Sequence, residues 1–179
     1  MENKKTFLVI DFEFTCWRGR APKGMYQEIL DIGIVEVDLK KKIVKNKTRI
    51  LVKPQKSKVS SFCTRLTSIT QEDVDKSGVF LSEAIDKLES VYDLKNTPWG
   101  SWGRFDKTQI SKECKQKGIE FPLSSDYTDL QKHFSKFIKD KRIYSVENAL
   151  EKIGLKFEGT PHRADYDSYN TALIYIQTI

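Results

Sequence analysis

Three short segments of the chain contain carboxylate side chains at spacings that could support metal-ion chemistry. In the first, Asp11 and Glu13 are separated by one residue, and in a β-strand such residues point to the same face. Two carboxylates held side by side repel each other and bind protons more tightly unless a cation lies between them. The alternative is that one acid is solvated at a strand end and the other caps a turn.

The second and third segments each open a predicted helix. Asp106 follows the aromatic, glycine-containing segment 101–105, and on its own it is better explained as an N-cap. His162, Asp165 and Asp167 lie together at the start of the last predicted helix. Acids in a first helical turn interact favourably with the helix dipole, and a histidine there is usually a cap or a surface residue. Each segment alone therefore has a structural explanation.

Taken together, the segments supply what hydrolysis of phosphodiesters by two metal ions requires. Hard divalent cations prefer oxygen ligands, and two ions about 3.5–4 Å apart can activate the attacking water and stabilise the leaving oxygen. A neutral histidine beside that water can accept its proton. The other histidine, His133, is predicted to lie within a helix and to be structural.

The elements that must position these residues are predicted from hydrophobic periodicity. The apolar run 7–10 indicates a strand buried on both faces. Further strands are predicted at 27–37, 43–52 and 99–102. The strands 27–37 and 43–52 are predicted to pair antiparallel. Helices are predicted at 81–92, 106–117, 130–138, from Ser145 to Ile153, and at 165–176, with a short helix after Thr70.

The composition is that of one folded domain over residues 1–179. A hydrophobic share of 39% and an aromatic share of 11% exclude a disordered chain. The 3 cysteines form no CxxC pair, so they fit neither a disulfide framework nor a zinc cluster and favour a cytoplasmic location. The start 1–5 is basic, but the apolar run after it is too short for a signal peptide or a membrane span. We therefore expect no membrane association.

The charge balance permits binding to nucleic acid. Lys+Arg 31 against Asp+Glu 25 gives a net charge of +6, and such a surplus can neutralise phosphates. The same balance is also common on a solvated surface. The lysine-rich runs 40–42 and 139–142 are interpreted as solvated turns, with contact to a substrate backbone as the alternative.

The order of these motifs resembles that of the DEDDh 3′–5′ exonucleases of the DnaQ-like, ribonuclease H-like superfamily. That family has D-x-E near the N-terminus, a central Asp after an aromatic segment, and His-x4-Asp near the C-terminus. The blocks 9–17, 62–71 and 101–106 resemble the branch of the KapD-like proteins and the eukaryotic exonuclease of small RNAs and histone mRNA ends. The resemblance spans nearly the whole chain and implies an α/β fold, a ribonuclease H-like mixed β-sheet flanked by α-helices.

The resemblance also implies a role for each matching residue. The implied ligands of two Mg²⁺ ions, or of Mn²⁺, are Asp11, Glu13, Asp106 and Asp167. His162 would be the general base, and Glu13 would act in catalysis as well as in metal binding. The family spacing selects Asp167 over Asp165, and residues two apart on a helix point about 200° away from each other.

Substrate contacts are implied in the same way. The backbone of Phe14 and Thr15 would lie beside the terminal sugar, and Leu66 would wedge against the last base. Trp102 is the aromatic candidate for stacking on a nucleotide, with core packing as an equal alternative. Arg104 and Arg163 could each contact a phosphate.

The sequence therefore predicts an enzyme that releases nucleoside 5′-monophosphates stepwise from the 3′ end of single-stranded nucleic acid. RNA is favoured over DNA by the resemblance to one branch alone, since no single residue proves contacts to a 2′-hydroxyl. A DNA exonuclease of the repair or proofreading type stays open. So does a nuclease-like protein that binds nucleic acid or a regulatory partner, although the complete set of acids and the histidine argues against an inactive site. An unidentified protein partner could direct the enzyme to its targets.

Overall fold

A mixed sheet of five strands carries the acidic segments. A computed structural model describes residues 5–179; residues 1–4, most of the basic start, lie outside the described residues. The strands are β1 (Thr6–Phe14), β2 (Ile29–Asp38), β3 (Ile43–Leu51), β4 (Trp99–Ser101) and β5 (Tyr127–Asp129). Their order in the sheet is β3-β2-β1-β4-β5. The pairs β1–β2 and β2–β3 are antiparallel, whereas β1–β4 and β4–β5 are parallel.

Helices follow the first three strands and surround the sheet. They are α1 (Ser61–Thr67), α2 (Gln71–Ser77), α3 (Leu81–Glu89), α4 (Phe105–Lys117), α5 (Leu130–Phe137), α6 (Val146–Lys152) and α7 (Ala164–Thr178). Within residues 5–179, none of these helices combines the length and the apolar character needed to span a bilayer.

Side chains of β1 point alternately to the two faces of the sheet, so they contribute to two separate apolar clusters. Even-numbered residues from Leu8 to Phe14 pack with α3 and α4 in one apolar cluster. The odd-numbered Phe7 and Val9 pack with α5 and α7 in another. The run 7–10 is buried on both faces, as predicted, and helices are therefore required on each side of the sheet.

Most predicted elements are confirmed, and the differences have local causes. β1 continues to Phe14, because pairing of Asp11, Phe12 and Glu13 with β2 keeps the chain extended beyond the apolar run. α3 ends at Glu89 rather than at residue 92. The sequence pattern does not indicate α1 or β5, which are short elements of seven and three residues. The predicted helix after Thr70 is confirmed, with a capping box between Thr70 and Asp73.

Gly33 is a position at which the start of α7 approaches the sheet closely. It pairs with Asp11 across β1 and β2, and a Cβ atom added to it would lie 1.8 Å from the carbonyl oxygen of Ala164 and 2.5 Å from the backbone nitrogen of Asp165. A glycine within a strand often marks such a close approach of another backbone. The missing side chain therefore lets the first turn of α7 rest on the sheet directly beside Asp11.

We expect Gly33→Ala to displace the first turn of α7 and to lower stability. The added methyl group meets backbone atoms that cannot rotate away, and overpacking of this kind costs about 1–3 kcal/mol. For a chain of this size that corresponds to a fall in Tm of about 2–4 °C per kcal/mol. Thermal unfolding followed by circular dichroism measures the change. An unaltered Tm would show that the contact between β2 and α7 is not tight.

Candidate active site

Asp11 and Glu13 lie on one face of β1, as their spacing predicts. Burial alternates along this part of the strand, because Phe12 and Phe14 are buried in the core while the two acids are only partly buried. The aromatic side chains hold the end of the strand against α3 and α4. The two carboxylates are thereby presented together on the α7 side of the sheet.

The first turn of α7 brings a third carboxylate to the same place. One oxygen each from Asp11, Glu13 and Asp167 lie within 4.8 Å of one another. Oδ2 of Asp167 accepts a hydrogen bond of 2.9 Å from the backbone N–H of Arg163, which fixes the carboxylate against its own helix terminus. The close contact at Gly33 holds that helix end beside β1.

Asp106 supplies a fourth carboxylate from α4. It is 7% exposed, and its charge raises the pKa of Asp11, second only to burial. The preceding Phe105 contacts the ring of Phe14 edge-on at a centroid distance of 5.4 Å, which holds the helix start against the end of β1. The N-cap interpretation of Asp106 is wrong, because the helix begins at Phe105 and Arg104 is its N-cap residue.

Burial and mutual repulsion raise the pKa of all four carboxylates in the metal-free protein. Burial raises the pKa of Glu13 to about 8, and it raises the pKa of Asp106 and of Asp167 to about 7. Burial also raises the pKa of Asp11 well above its ordinary value, and the charges of its carboxylate neighbours add to the shift. Within residues 5–179, none of the four forms a salt bridge. Crowded oxygen donors without a protein cation fit a hard divalent ion.

We expect the stability of the chelated protein to fall as pH rises from about 4, near the ordinary carboxyl pKa values, to about 8. Folded-state pKa values of about 7 to about 8 exceed the unfolded values, so the stabilising protons are present at low pH and are lost through this range. A divalent ion at about 100 times its Kd should add about 2.7 kcal/mol at high pH, or about 5–10 °C in Tm. Scanning calorimetry with and without chelator measures both effects.

The matched control for this pH effect is the double variant Asp11→Asn, Glu13→Gln. Removal of two of the crowded charges should reduce the fall in Tm with pH and abolish the response to the ion. If the variant and the wild-type protein show the same pH dependence and the same ion response, the cluster is not the source of either.

Asp165 lies in a different environment from Asp167. Its Oδ2 is 3.3 Å from Nζ of Lys47, and its Oδ1 is 3.8 Å from Nε of Arg49. Nε of Arg49 also donates a hydrogen bond of 2.7 Å to Oδ2 of the buried Asp31. These contacts tie the start of α7 to β2 and β3. The two acids therefore diverge as their helical spacing predicts, and Asp165 anchors the helix that carries Asp167.

His162 lies at the exposed rim of the cluster, just before α7. It is exposed, and its backbone adopts a left-handed conformation with φ of 60°. Such a conformation is uncommon outside glycine, although histidine is among the residues enriched there. The backbone N–H of His162 also helps to counter the burial that raises the pKa of Asp167. His133, by contrast, lies within α5 with Nε2 at 3.2 Å from the carbonyl oxygen of Thr178, as expected of a structural histidine.

The predicted contacts to the terminal nucleotide surround the end of β1. Thr15 is buried, and its Oγ1 accepts a hydrogen bond of 2.9 Å from the backbone N–H of Glu28. Leu66 is 39% exposed on α1, which is held to β1 by a bond from Sγ of Cys63 to the carbonyl oxygen of Phe14 at 3.4 Å. An exposed leucine is thus fixed beside the strand that carries the acids.

Trp102 packs between two apolar clusters. The centroid of its ring lies 5.8 Å from the centroid of the Phe134 ring. Its Nε1 donates a hydrogen bond of 2.8 Å to the carbonyl oxygen of Tyr144. These contacts favour the core-packing interpretation of Trp102. A role in stacking on a nucleotide stays a prediction.

The fold and the acidic cluster define the class of protein. A mixed five-stranded sheet flanked by helices, with carboxylates from β1, α4 and α7 at one place, is the arrangement of a ribonuclease H-like nuclease. Residues 8–175 match the RNase_T family, described as exonuclease. The chain belongs to this exonuclease family.

Named relatives agree with this assignment. The probable 3′–5′ exonuclease KapD of Bacillus subtilis is 30% identical over 89% of this chain and 77% of its own length. The 3′–5′ exoribonuclease 1 of Homo sapiens is 28% identical over 96% of this chain, which spans 51% of that protein. The predicted class of enzyme, a 3′–5′ exonuclease, is confirmed.

The fold is confirmed by a solved structure. The nuclease domain of 3′hExo, a DEDDh family member bound to rAMP, superposes with a TM-score of 0.83 at 26% identity. The match covers 98% of this chain and 92% of that domain. The predicted DEDDh resemblance and the ribonuclease H-like α/β fold are therefore both correct.

Proposed function

We propose that this exonuclease removes nucleoside 5′-monophosphates one at a time from the 3′ end of single-stranded RNA, using two Mg²⁺ ions, or Mn²⁺. The main support is the convergence of three carboxylates within 4.8 Å with Asp106 buried beside them. Within the described residues, none of the four acids pairs with a lysine or an arginine, and their pKa values are raised. Both observations also fit this proposal. The proposed ligands are Asp11, Glu13, Asp106 and Asp167.

A bound pair of divalent ions would activate the attacking water and stabilise the leaving oxygen. The protein's own part is to hold the ligands rigidly. Phe12 and Phe14 anchor the strand in the core, and the backbone N–H of Arg163 fixes the carboxylate of Asp167. Glu13 acts in catalysis from this fixed strand.

His162 is the proposed general base. Its exposure at the rim of the cluster leaves the imidazole free to receive a proton from the attacking water and to pass it to solvent. Arg163 and Asp165 hold the adjoining helix start, with Nε of Arg163 at 3.9 Å from Oδ1 of Asp165. The exposed side chain therefore extends from a fixed backbone.

The terminal nucleotide is proposed to bind between the end of β1 and α1. Leu66 would contact the last base, and the backbone at Phe14 and Thr15 would lie beside its sugar. The preference for RNA is supported by the name of the human relative, an exoribonuclease, and by the rAMP in the similar nuclease domain.

The sugar preference is tested with RNA and DNA of one sequence, together with RNA that carries a single 2′-deoxy sugar at its 3′ end. One hydrogen bond to the 2′-hydroxyl contributes about 1 kcal/mol, so we expect kcat/KM to fall by about fivefold or more for the terminal deoxy substrate. Equal or faster hydrolysis of DNA would identify a DNA exonuclease. Binding of both strands without hydrolysis would identify an interaction protein.

A further inference from the structure

The connection between β1 and β2 contains a cluster of exposed positive charge. We name residues 17–25 the basic arm. It carries Arg18, Arg20 and Lys23 and no acidic residue, and residues 18–24 are all exposed. Gly19 and Gly24 have φ of 101° and 83°, and nothing lies within 4 Å of a Cβ added to either. Residues 18–24 therefore face solvent.

Hydrogen bonds fix both ends of the basic arm. Oγ of Ser60 donates to the carbonyl oxygen of Cys16 at 2.6 Å, and Oγ1 of Thr15 donates to the carbonyl oxygen of Tyr26 at 3.2 Å. The backbone N–H of Tyr26 donates to Oγ of Ser57 at 3.1 Å. The arm is thus held beside the end of β1.

A buried ionic network supports the return of the arm into β2. Oε2 of Glu28 accepts hydrogen bonds from the backbone N–H groups of Lys56 and Ser57, at 2.9 and 2.6 Å. Nζ of Lys117 lies 3.0 Å from Oε1 of Glu28 and 3.1 Å from Oε1 of Glu113. This support is inside the protein, whereas the cations of the arm face solvent.

The cations of the basic arm have no partners within residues 5–179. Arg18, Arg20 and Lys23 form no salt bridge there, whereas Lys47 and Arg49 on β3 pair with carboxylates. The arm begins four positions after Glu13. Unpaired cations at the border of a site for a phosphodiester are suited to neutralise further phosphates of the same strand.

We propose that the basic arm binds phosphates of the substrate strand upstream of the scissile bond. The ligand is the nucleic-acid backbone, because arginine and lysine at an exposed loop tip can bind phosphate without reading the base. An acidic protein would satisfy the same charges, and the test below separates the two. The inference rests on the proposed function, since it places the 3′ end at the acidic cluster.

The basic arm is tested with the double variant Arg18→Gln/Arg20→Gln. The matched control is the double variant Lys40→Gln/Lys41→Gln. Both variants lose two positive charges. Lys40 and Lys41 are exposed in the turn between β2 and β3, and that turn adjoins Thr6, at the end of β1 opposite to Glu13. A change in the overall field of the protein would therefore affect both variants equally.

Binding is measured first, by fluorescence anisotropy of a labelled single strand of about 12 nucleotides in chelator over a range of salt. Each phosphate contact contributes about 0.7 to the slope of log K against log salt for a single strand. We expect the arm variant to lose about 1.4 in slope and to bind about 25-fold more weakly near 0.1 M salt. The control should keep the wild-type slope. An arm variant that behaves like the control would overturn the proposal.

Hydrolysis distinguishes this inference from the proposed function. A dinucleotide has no phosphate upstream of the scissile bond, so the KM ratio of the long strand to the dinucleotide should rise by about tenfold or more in the arm variant. An unchanged ratio in an active enzyme would overturn the inference alone. If the wild-type protein hydrolyses neither substrate, the proposed function fails, and a retained difference in salt slope would still support backbone binding by the arm.

Discussion

Asp167→Asn is expected to lower the rate of 3′-end hydrolysis by more than about 100-fold, whereas Asp165→Asn should keep most of it. Loss of a residue that only supports a metal ligand already costs about 10–100-fold, and Asp167 is itself a proposed ligand. Its carboxylate lies with those of Asp11 and Glu13. That of Asp165 pairs with Lys47 and Arg49 instead.

Hydrolysis is measured for both variants over a range of divalent-ion concentrations. Asp167→Asn should require more ion for half-maximal activity and should still have a low rate at saturation. Asp165→Asn should mainly lower Tm, because its ion pairs tie α7 to β3. Full activity in Asp167→Asn, together with loss in Asp165→Asn, would reverse the assignment.

His162→Asn is expected to reduce kcat by about 10²–10⁴-fold, the usual contribution of a general base. Asparagine tolerates the left-handed backbone that His162 adopts, so this substitution removes the imidazole and keeps the chain path. Alanine would combine the loss of the base with backbone strain. The variant should therefore fold and bind substrate while it hydrolyses slowly.

The pH dependence of kcat at saturating ion gives a second test of this base. A general base contributes to the rate only in its unprotonated form, so the variant should lose the part of the pH profile that depends on this base. The matched control is His133→Asn, at the histidine whose ring contacts Thr178 and Tyr175 away from the acids. Retention of both rate and pH profile in His162→Asn would exclude it as the base.

Features that follow from the regular period of a strand or a helix could be predicted from the sequence. The apolar run at 7–10 and the alternation of Asp11 and Glu13 with buried phenylalanines follow from the two-residue period of a strand. The separation of Asp165 from Asp167 follows from the helical period. These relations are local, so one segment is sufficient to derive them.

Features that depend on contacts between distant segments could not be predicted. Gly33 appears in the sequence only as a glycine within a strand, and its role requires the position of Ala164 on α7. Arg49 bridges Asp31 and Asp165 from a different strand. Trp102 is equally compatible with stacking and packing until Phe134 and Tyr144 are placed against it. The N-cap expectation for Asp106 was wrong because the helix starts one residue earlier.

The most direct test of the central claim is hydrolysis of a 5′-labelled single strand with Mg²⁺, with Mn²⁺ or with chelator, by the wild-type protein and by Asp11→Asn, Glu13→Gln. The proposed site predicts a ladder that shortens from the 3′ end, releases nucleoside 5′-monophosphates, and disappears with chelator and in the variant. A ladder that persists in chelator, or an equal ladder from the variant, would contradict the assignment of the acidic cluster as the catalytic metal site.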